Sequence, residues 1–304
     1  MSKLKNLERK NKKSRKQSLF GSIREKLMHN KDGSGTTRGN RERMLILAGK
    51  QLHQLHFKLK HVDGLKQKHI RALNNHWLET GINPATIKNR NAALHWLCEK
   101  IGKADMMPSN DELGVPKRQY YTNKDKSVDI TEFDLTKVHE QLEIQLNLER
   151  YFGLRRKEAI MIQPHVADKG DTLALEGKWC KGGRPRKLPI DSEEKRYWLE
   201  RAKAYVPTKR ASLGGRNSYE KAVNIYDKRV QRAGISNPHR LRHKFAQEGY
   251  KLITGLEAPV KGNGSPKAQL TKAQIDAIKQ ARLTVSEHLG HSRENISSIY
   301  IGKK

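Results

Sequence analysis

The sequence predicts a mostly α-helical chain with one small β-sheet, an all-α domain preceding an α+β domain. Three observations lead there. Between Arg41 and Ala104 apolar residues recur at helical steps. Residues 105–128, DMMPSNDELGVPKRQYYTNKDKSV, contain two prolines and many polar side chains, and so read as a linker. Beyond it, helical patterns flank short alternating runs in the order α, β, α.

The elements follow in chain order. Residues 1–40 are rich in Lys and Arg, and NKDGSGTTRGN has no apolar period, so this stretch reads as a basic flexible tail. From Arg41, RERMLILAGKQLHQLHFKL spaces Leu45, Leu47, Leu52, Leu55 and Leu59 as a helix would. After the break HVDG, the run LKQKHIRALNNHWLETG keeps Ile70, Leu73 and Leu78 apolar, and Gly81 stands past its end. Asn83 and Pro84 offer a cap and a first-turn proline for the next helix. Its apolar side carries Ile87, Leu94 and Leu97, and its other side shows Lys88, Arg90 and Lys100. Residues 41–104 thus form a small helical domain with basic faces.

The second domain spans 129–304. FDLTKVHEQLEIQLNLERYF reads as one long amphipathic helix closed by Gly153. DTLALEG, KWC and RKLPID are short β-like runs, with Gly182-Gly183 suited to a two-residue hairpin turn that would put Lys181 at its tip. Helices return from Glu193, and TGLEAPVKGNGSPKAQ, within 254–275, reads as an inserted loop.

Composition narrows the function. Lys and Arg total 62 against 32 Asp and Glu, a formal net charge of +30, so a polyanionic partner is expected, nucleic acid ahead of an anionic membrane surface. No apolar run approaches the ~18 residues of a spanning helix, and the N-terminus has no apolar signal core. Two cysteines, Cys98 and Cys180, are too few for a disulfide framework and suit a reducing cytosol.

Four segments could do chemistry. In NPHRLRHKFAQEGY, Asn237 can cap and His239 and Arg242 share a helix face at i and i+3, a site for a phosphate. A metal site through His239 and His243 lacks an acidic general base. In ERYFGLRRKEAIMIQP, Arg155 opens a helix and Glu158, three residues on, can cap it or hold the arginine. In KWCKGGRPRKLPI, Lys181 could reach into a DNA groove; the rival is a minor-groove element built on Gly183-Arg184-Pro185. No GKS or GKT follows the glycines, which excludes a nucleotide P-loop. In LGHSRENISSIY, one continuous helix would hold His291 and Tyr300 about half a revolution apart. A break at Gly290 and Ser292 lets the two converge.

Taken in order, GLRRKEA, KGGRPRKLPI, HRLRH and LGHSRENISSIY resemble the tyrosine recombinase (phage integrase) family, over about 129–304. Residues 41–104 are similar, more weakly, to the family's helical core-binding domain, and QEGYKLITGLEAP points to the integrase-type subgroup with a helical N-terminal DNA-binding domain. The resemblance implies site-specific cleavage and rejoining of double-stranded DNA through a covalent 3′-phosphotyrosine. Tyr300 would be the nucleophile; Arg155, Arg242 and His291 would bind the non-bridging oxygens; His239 would position or deprotonate the tyrosine; Lys181 would protonate the leaving oxygen; Glu158 would orient the arginine. Lys88, Arg90, Arg184 and Arg186 are expected to contact DNA. No cofactor and no metal are implied, since the covalent link stores the bond energy. A homotetramer on two DNA sites, accessory DNA-bending proteins and a cytoplasmic, nucleoid-associated location in a prokaryote or phage follow from the same resemblance. The alternatives are a type IB topoisomerase-like strand transferase and a non-catalytic DNA-binding protein. Two features depart from the family's common form. The stretch between Arg242 and His291 is long, and only IGKK follows Tyr300, whereas many members continue into a C-terminal segment that docks on a neighbouring protomer.

Overall fold

In a computed structural model, residues 18–118, 124–262, 270–291 and 293–303 are described. The chain divides into two compact units, Met1–Gln119 and Tyr120–Lys304, the boundary falling inside the expected linker. Residues 1–17 of the expected tail, 119–123 of the linker, 263–269 of the expected loop and Ser292 lie outside the described residues.

The first unit is all helical: α1 (Leu19–His29), α2 (Gly35–Gln54), α3 (Gln67–Glu79) and α4 (Pro84–Lys100). Here the expected tail is corrected, because its second half is folded. The Ser18 hydroxyl accepts from the Gly21 amide at 3.1 Å and starts α1. Ile23 is buried with Leu45, Leu52, Leu73 and Trp77, and the Ser22 hydroxyl accepts from the Val62 amide at 3.1 Å. High charge masked this short amphipathic pattern. Asn83 caps α4 with Pro84 at its first position, as the sequence predicts. The expected linker also shrinks: Leu113 and Val115 belong to this core, while Val128 and Ile130 belong to the second unit's.

In the second unit α5 (Glu140–Phe152) is the central element, starting seven residues later than its pattern predicts, with the His139 side chain accepting from the Gln141 amide. Leu142, Ile144, Leu146 and Leu148 are all buried, so the helix is enclosed rather than amphipathic. It ends at Gly153 in the left-handed region (φ 59°), where a Cβ would strike the Phe245 ring at 2.4 Å. Two short helices, α6 (Arg156–Met161) and α7 (Pro164–Ala167), lead to strand β1 (Thr172–Leu175). It pairs antiparallel with β2 (Arg186–Pro189), Leu173 opposite Leu188 and Leu175 opposite Arg186. The expected two-residue hairpin is not formed. Residues 176–185 make a longer loop in which KWC is not a strand and Lys181–Gly183 is a single 3-10 turn. Gly182 and Gly183 do take positive φ, 75° and 71°. Helices α8 (Glu193–Tyr205), α9 (Tyr219–Arg232), α10 (Arg240–Thr254), α11 (Lys272–His288) and the short α12 (Ser298–Ile301) complete the unit. Among the described residues the two-stranded sheet is the only one, and no helix is long and apolar enough to cross a membrane.

Candidate active site

The C-terminal end of α11 organises the site. The last carbonyls of a helix lack intrahelical partners and carry its negative dipole end. Three arginines satisfy them: Arg186 Nε donates to the His288 carbonyl at 2.8 Å, Arg155 Nη2 to the Leu289 carbonyl at 2.7 Å, and Arg242 Nη2 to that same Leu289 carbonyl. The chain leaves this cluster through Gly290 (φ 66°), where a Cβ would meet the Arg186 and Arg155 guanidinium nitrogens at 3.1 and 3.2 Å. The positive φ favours glycine there, and a side chain would also crowd the two guanidiniums.

Each arginine is fixed from a second side. Glu158, fully buried, accepts from the Arg155 amide at 2.8 Å and from Arg155 Nη1 at 2.9 Å, closing the capping box that the spacing predicts. Burial alone would raise the Glu158 pKa; the hydrogen bonds and charges of Arg186 and Arg155 outweigh it and bring the carboxyl to about 2. Arg242 is fully buried and donates to the Gly153 carbonyl, so the helix-ending glycine also supplies an acceptor. Burial pulls its pKa down to about 10, which leaves it protonated at neutral pH.

Tyr300 closes the site. Arg242 Nε lies 3.4 Å from its hydroxyl, and the guanidinium carbon is 5.6 Å from the ring centroid. The rings of His239 and His291 are each 6.1 Å from the Tyr300 ring, and His291 Nε2 is 3.3 Å from Arg155 Nη2. The break at Gly290 thus does bring His291 and Tyr300 together. His239 stands at the N-cap of α10, exposed to solvent although its ring lies against the arginine cluster. Asn237 is not the cap; it takes a positive φ of 48° in the turn before it. Burial, then the charges of Arg242 and Arg155, hold the His239 pKa near 4. His291 is lowered to about 4 by burial, then by Arg155 and Arg242. Both imidazoles are neutral at pH 7, each with one N–H to donate and one nitrogen to accept.

Lys181 lies apart from this cluster. It is exposed and lines, with Arg155, Arg184, His291 and Arg293, an open cleft of about 820 Å³. Arg184 is exposed on the same cleft. Arg186 is corrected. Its side chain is only 6% exposed and its guanidinium grips both Glu158 oxygens, at 2.9 and 2.7 Å, so it braces the site and cannot face DNA. In the first unit Lys88 is half-buried on α4, and Arg90 is turned inward, its guanidinium 5.1 Å from the Trp77 ring and Nη1 buried without a hydrogen-bond partner. Arg90 is not part of an open basic face.

The structure adds residues that sequence reasoning missed. His243, considered only as a metal partner of His239, packs its ring 4.8 Å from Tyr300. Among the described residues no group of three or more His, Cys, Asp or Glu side chains is placed to hold a metal. Gln247, one turn further along α10, donates to the Tyr300 carbonyl at 3.3 Å and to Asp125 at 2.8 Å. Glu149 accepts from the Tyr226 hydroxyl at 2.8 Å beside a second cleft of about 360 Å³ that Arg155 and His239 also line. Burial raises its pKa to about 8. Only His243 had a sequence signal, its place directly after Arg242.

A family model described as phage integrase, N-terminal, matches residues 21–107, and one described as integrase matches residues 122–248. No curated protein matches the sequence significantly. Among solved structures, the Tn1549 transposon integrase in complex with circular intermediate DNA is similar over 94% of this chain and 96% of its own, at 15% identity and a TM-score of 0.53. A lambda integrase tetramer bound to a Holliday junction is similar over 90% of this chain and 76% of its own, at 13% identity and a TM-score of 0.54. These two likenesses speak to the fold, and the two family models speak to descent: the chain belongs to the tyrosine recombinase (phage integrase) family.

Proposed function

We propose that this chain is a site-specific DNA recombinase whose nucleophile is Tyr300, acting within the protomer that carries it. One observation carries the reading: the Tyr300 hydroxyl lies 3.4 Å from a fully buried guanidinium that is itself held by two main-chain carbonyls. A free phenol ionises near pH ~10, so it attacks at neutral pH only where cations or a base favour its oxyanion. In this reading Arg242, 3.4 Å from the hydroxyl, does that, and the neutral His239, its ring 6.1 Å from the Tyr300 ring, accepts the proton.

In the reaction, the Tyr300 oxygen bonds to phosphorus and the bond from phosphorus to the 5′-oxygen breaks. The product is a 3′-phosphotyrosine. Arg155, Arg242 and the His291 N–H bind the non-bridging oxygens and stabilise charge in the pentacoordinate transition state. Lys181, from the loop 176–185, delivers the proton to the leaving 5′-oxygen. Glu158 and, through it, Arg186 hold Arg155. Attack by a 5′-hydroxyl of a second strand reverses the step and exchanges strands. The partner is double-stranded DNA, as the charge of +30 favours. A homotetramer on two sites is the assembly that exchange requires, and the lambda integrase it resembles is a tetramer on a Holliday junction. Lys88 and Arg184 are proposed DNA contacts; accessory bending proteins and a nucleoid location belong to the same reading.

The test is to incubate the protein with duplex DNA flanking its own gene, quench with detergent, and look for protein covalently attached to DNA. The wild-type protein should give an adduct and Tyr300→Phe none, with DNA binding retained. An adduct that survives in Tyr300→Phe overturns the assignment. Relaxation of plasmids lacking any such site would favour the topoisomerase alternative.

A further inference from the structure

Tyr300, the proposed nucleophile, sits on the short helix Ser298–Ile301, which continues a 3-10 turn at Glu294–Ser297; so short a helical stretch is too brief to hold its own shape. Something must fix it. Ile301 is fully buried among Ala246, Tyr250, Ala281 and Val285, which sets its depth. The ends of the helix are held by one side chain. Arg282, on α11 and 3% exposed, donates from Nη1 to the Ser298 hydroxyl at 3.1 Å and from Nη2 to the Gly302 carbonyl at 3.2 Å. Tyr300 lies midway between those two contacts. Gly302 is suited to deliver its carbonyl there: its φ is 90°, and a Cβ would come within 2.6 Å of the Val260 amide nitrogen.

Stability does not explain this arginine. Neither of its acceptors is a carboxylate, and its Nε is buried with no hydrogen-bond partner. Burying a guanidinium on such terms costs several kcal/mol, and apolar residues of similar volume often replace buried ions at no loss. Arg282 also differs from the three arginines at the C-terminal end of α11, because it contacts no part of the phosphate-binding cluster. What its planar fork achieves is to bridge two points that no single-headed side chain spans.

We propose that Arg282 is a positioning residue for the nucleophile: by holding Ser298 and Gly302 it sets the Tyr300 hydroxyl against Arg242 of the same protomer. The inference rests on Tyr300 being the nucleophile. Loss of the clasp leaves the unit folded and able to bind DNA, but frees the tyrosine segment, and a displacement of about 1 Å costs on the order of 100-fold in rate.

Two measurements on the full chain test it, with wild type, Arg282→Met, Arg282→Lys and Ser298→Ala. Amide hydrogen exchange over residues 298–303 should quicken in Arg282→Met while the rest of the chain is unchanged. Single-turnover adduct formation on the duplex flanking the gene should slow by about 100-fold with DNA affinity unchanged, and Arg282→Lys, whose ammonium reaches one acceptor, should recover part of the rate. Unchanged exchange in Arg282→Met overturns the clasp. Faster exchange with a wild-type adduct rate overturns its positioning role. Should Arg282→Met unfold or lose DNA binding, Ser298→Ala decides, since it removes one acceptor and leaves the core intact: a shift in both readouts supports the proposal and no shift in either overturns it. A wild-type protein that forms no adduct refutes the recombinase reading instead, and exchange alone then decides the clasp.

Discussion

Arg186 holds both carboxylate oxygens of Glu158, at 2.9 and 2.7 Å, and Glu158 in turn holds Arg155. Arg155, proposed above as a phosphate contact, is therefore fixed by a buried carboxylate that a second, buried arginine keeps ionised. The chain is built so that Arg155 need not find its place when DNA arrives, and preorganised donors of this kind carry much of the barrier lowering in charge-developing reactions.

Glu158→Gln keeps the shape of that link and removes its charge. Two guanidiniums then face each other across a neutral amide, and the expected loss is about 3–5 kcal/mol, the usual result of breaking a buried pair from one side. Urea unfolding at pH 7 measures it. Because the Glu158 pKa is depressed to about 2, its contribution is present above the ordinary value of 4.5 and disappears as pH falls from there toward 2. The gap between wild type and Glu158→Gln should therefore narrow across that window.

The histidines act in a different range. His243 and His291 have pKa values lowered from 6.5 to about 4, for His243 by burial and then by the neighbouring His239. A lowered histidine binds protons more readily when unfolded, so its neutral burial stabilises the protein above pH 6.5 and that support is lost as pH falls from 6.5 toward 4. The melting temperature should fall across this interval. A DNA phosphate beside His291 adds negative charge and should move its titration, followed by NMR, upward. A DNA complex in which His291 titrates no higher than in the free protein would remove it from the oxygen-binding set.

Glu149 has the opposite sign. Its pKa is raised from 4.5 to about 8, so the support its neutral form gives is complete below 4.5 and is lost as pH rises toward 8. Glu149→Gln keeps an acceptor for the Tyr226 hydroxyl and cannot ionise. Its melting temperature should exceed that of wild type at pH 9 and match it near pH 5. Equal melting at pH 9 would show that Glu149 is charged and compensated in the folded protein.

Much of the site was legible because its members use local rules. Arg155 and Glu158 sit at capping-box spacing after a helix-ending glycine, His239 and Arg242 share a face at i and i+3, and Gly290 marks the break that folds His291 back to Tyr300. What stayed hidden depends on burial. Arg186 looks like any basic residue beyond a glycine-rich loop until the β1–β2 register turns it inward opposite Leu175. Arg90 and Arg282 look like solvent-facing charges on their helices, yet one stacks on Trp77 and the other holds the tyrosine segment. The first helix was missed for a related reason: Ile23 finds its partners in α2, far along the chain, and nothing nearby reveals them.

Lys181 offers the sharpest separation of binding from chemistry. It is exposed on the loop 176–185, across the open cleft from His291, with no close contact to Tyr300 among the described residues. In the proposed mechanism it meets the leaving oxygen on bound DNA without having shaped the nucleophile. If it supplies the proton, Lys181→Ala should slow adduct formation by about 10²–10⁴-fold while leaving the fold and DNA affinity intact. Replacing the leaving 5′-oxygen by sulfur makes a group that departs without protonation, because thiols ionise at far lower pH than alcohols. On that substrate Lys181→Ala should cleave at nearly the wild-type rate, whereas Arg242→Ala should stay inactive, since its charge serves the transition state itself. Equal defects of Lys181→Ala on the two substrates would make Lys181 a phosphate contact and assign the proton to another group.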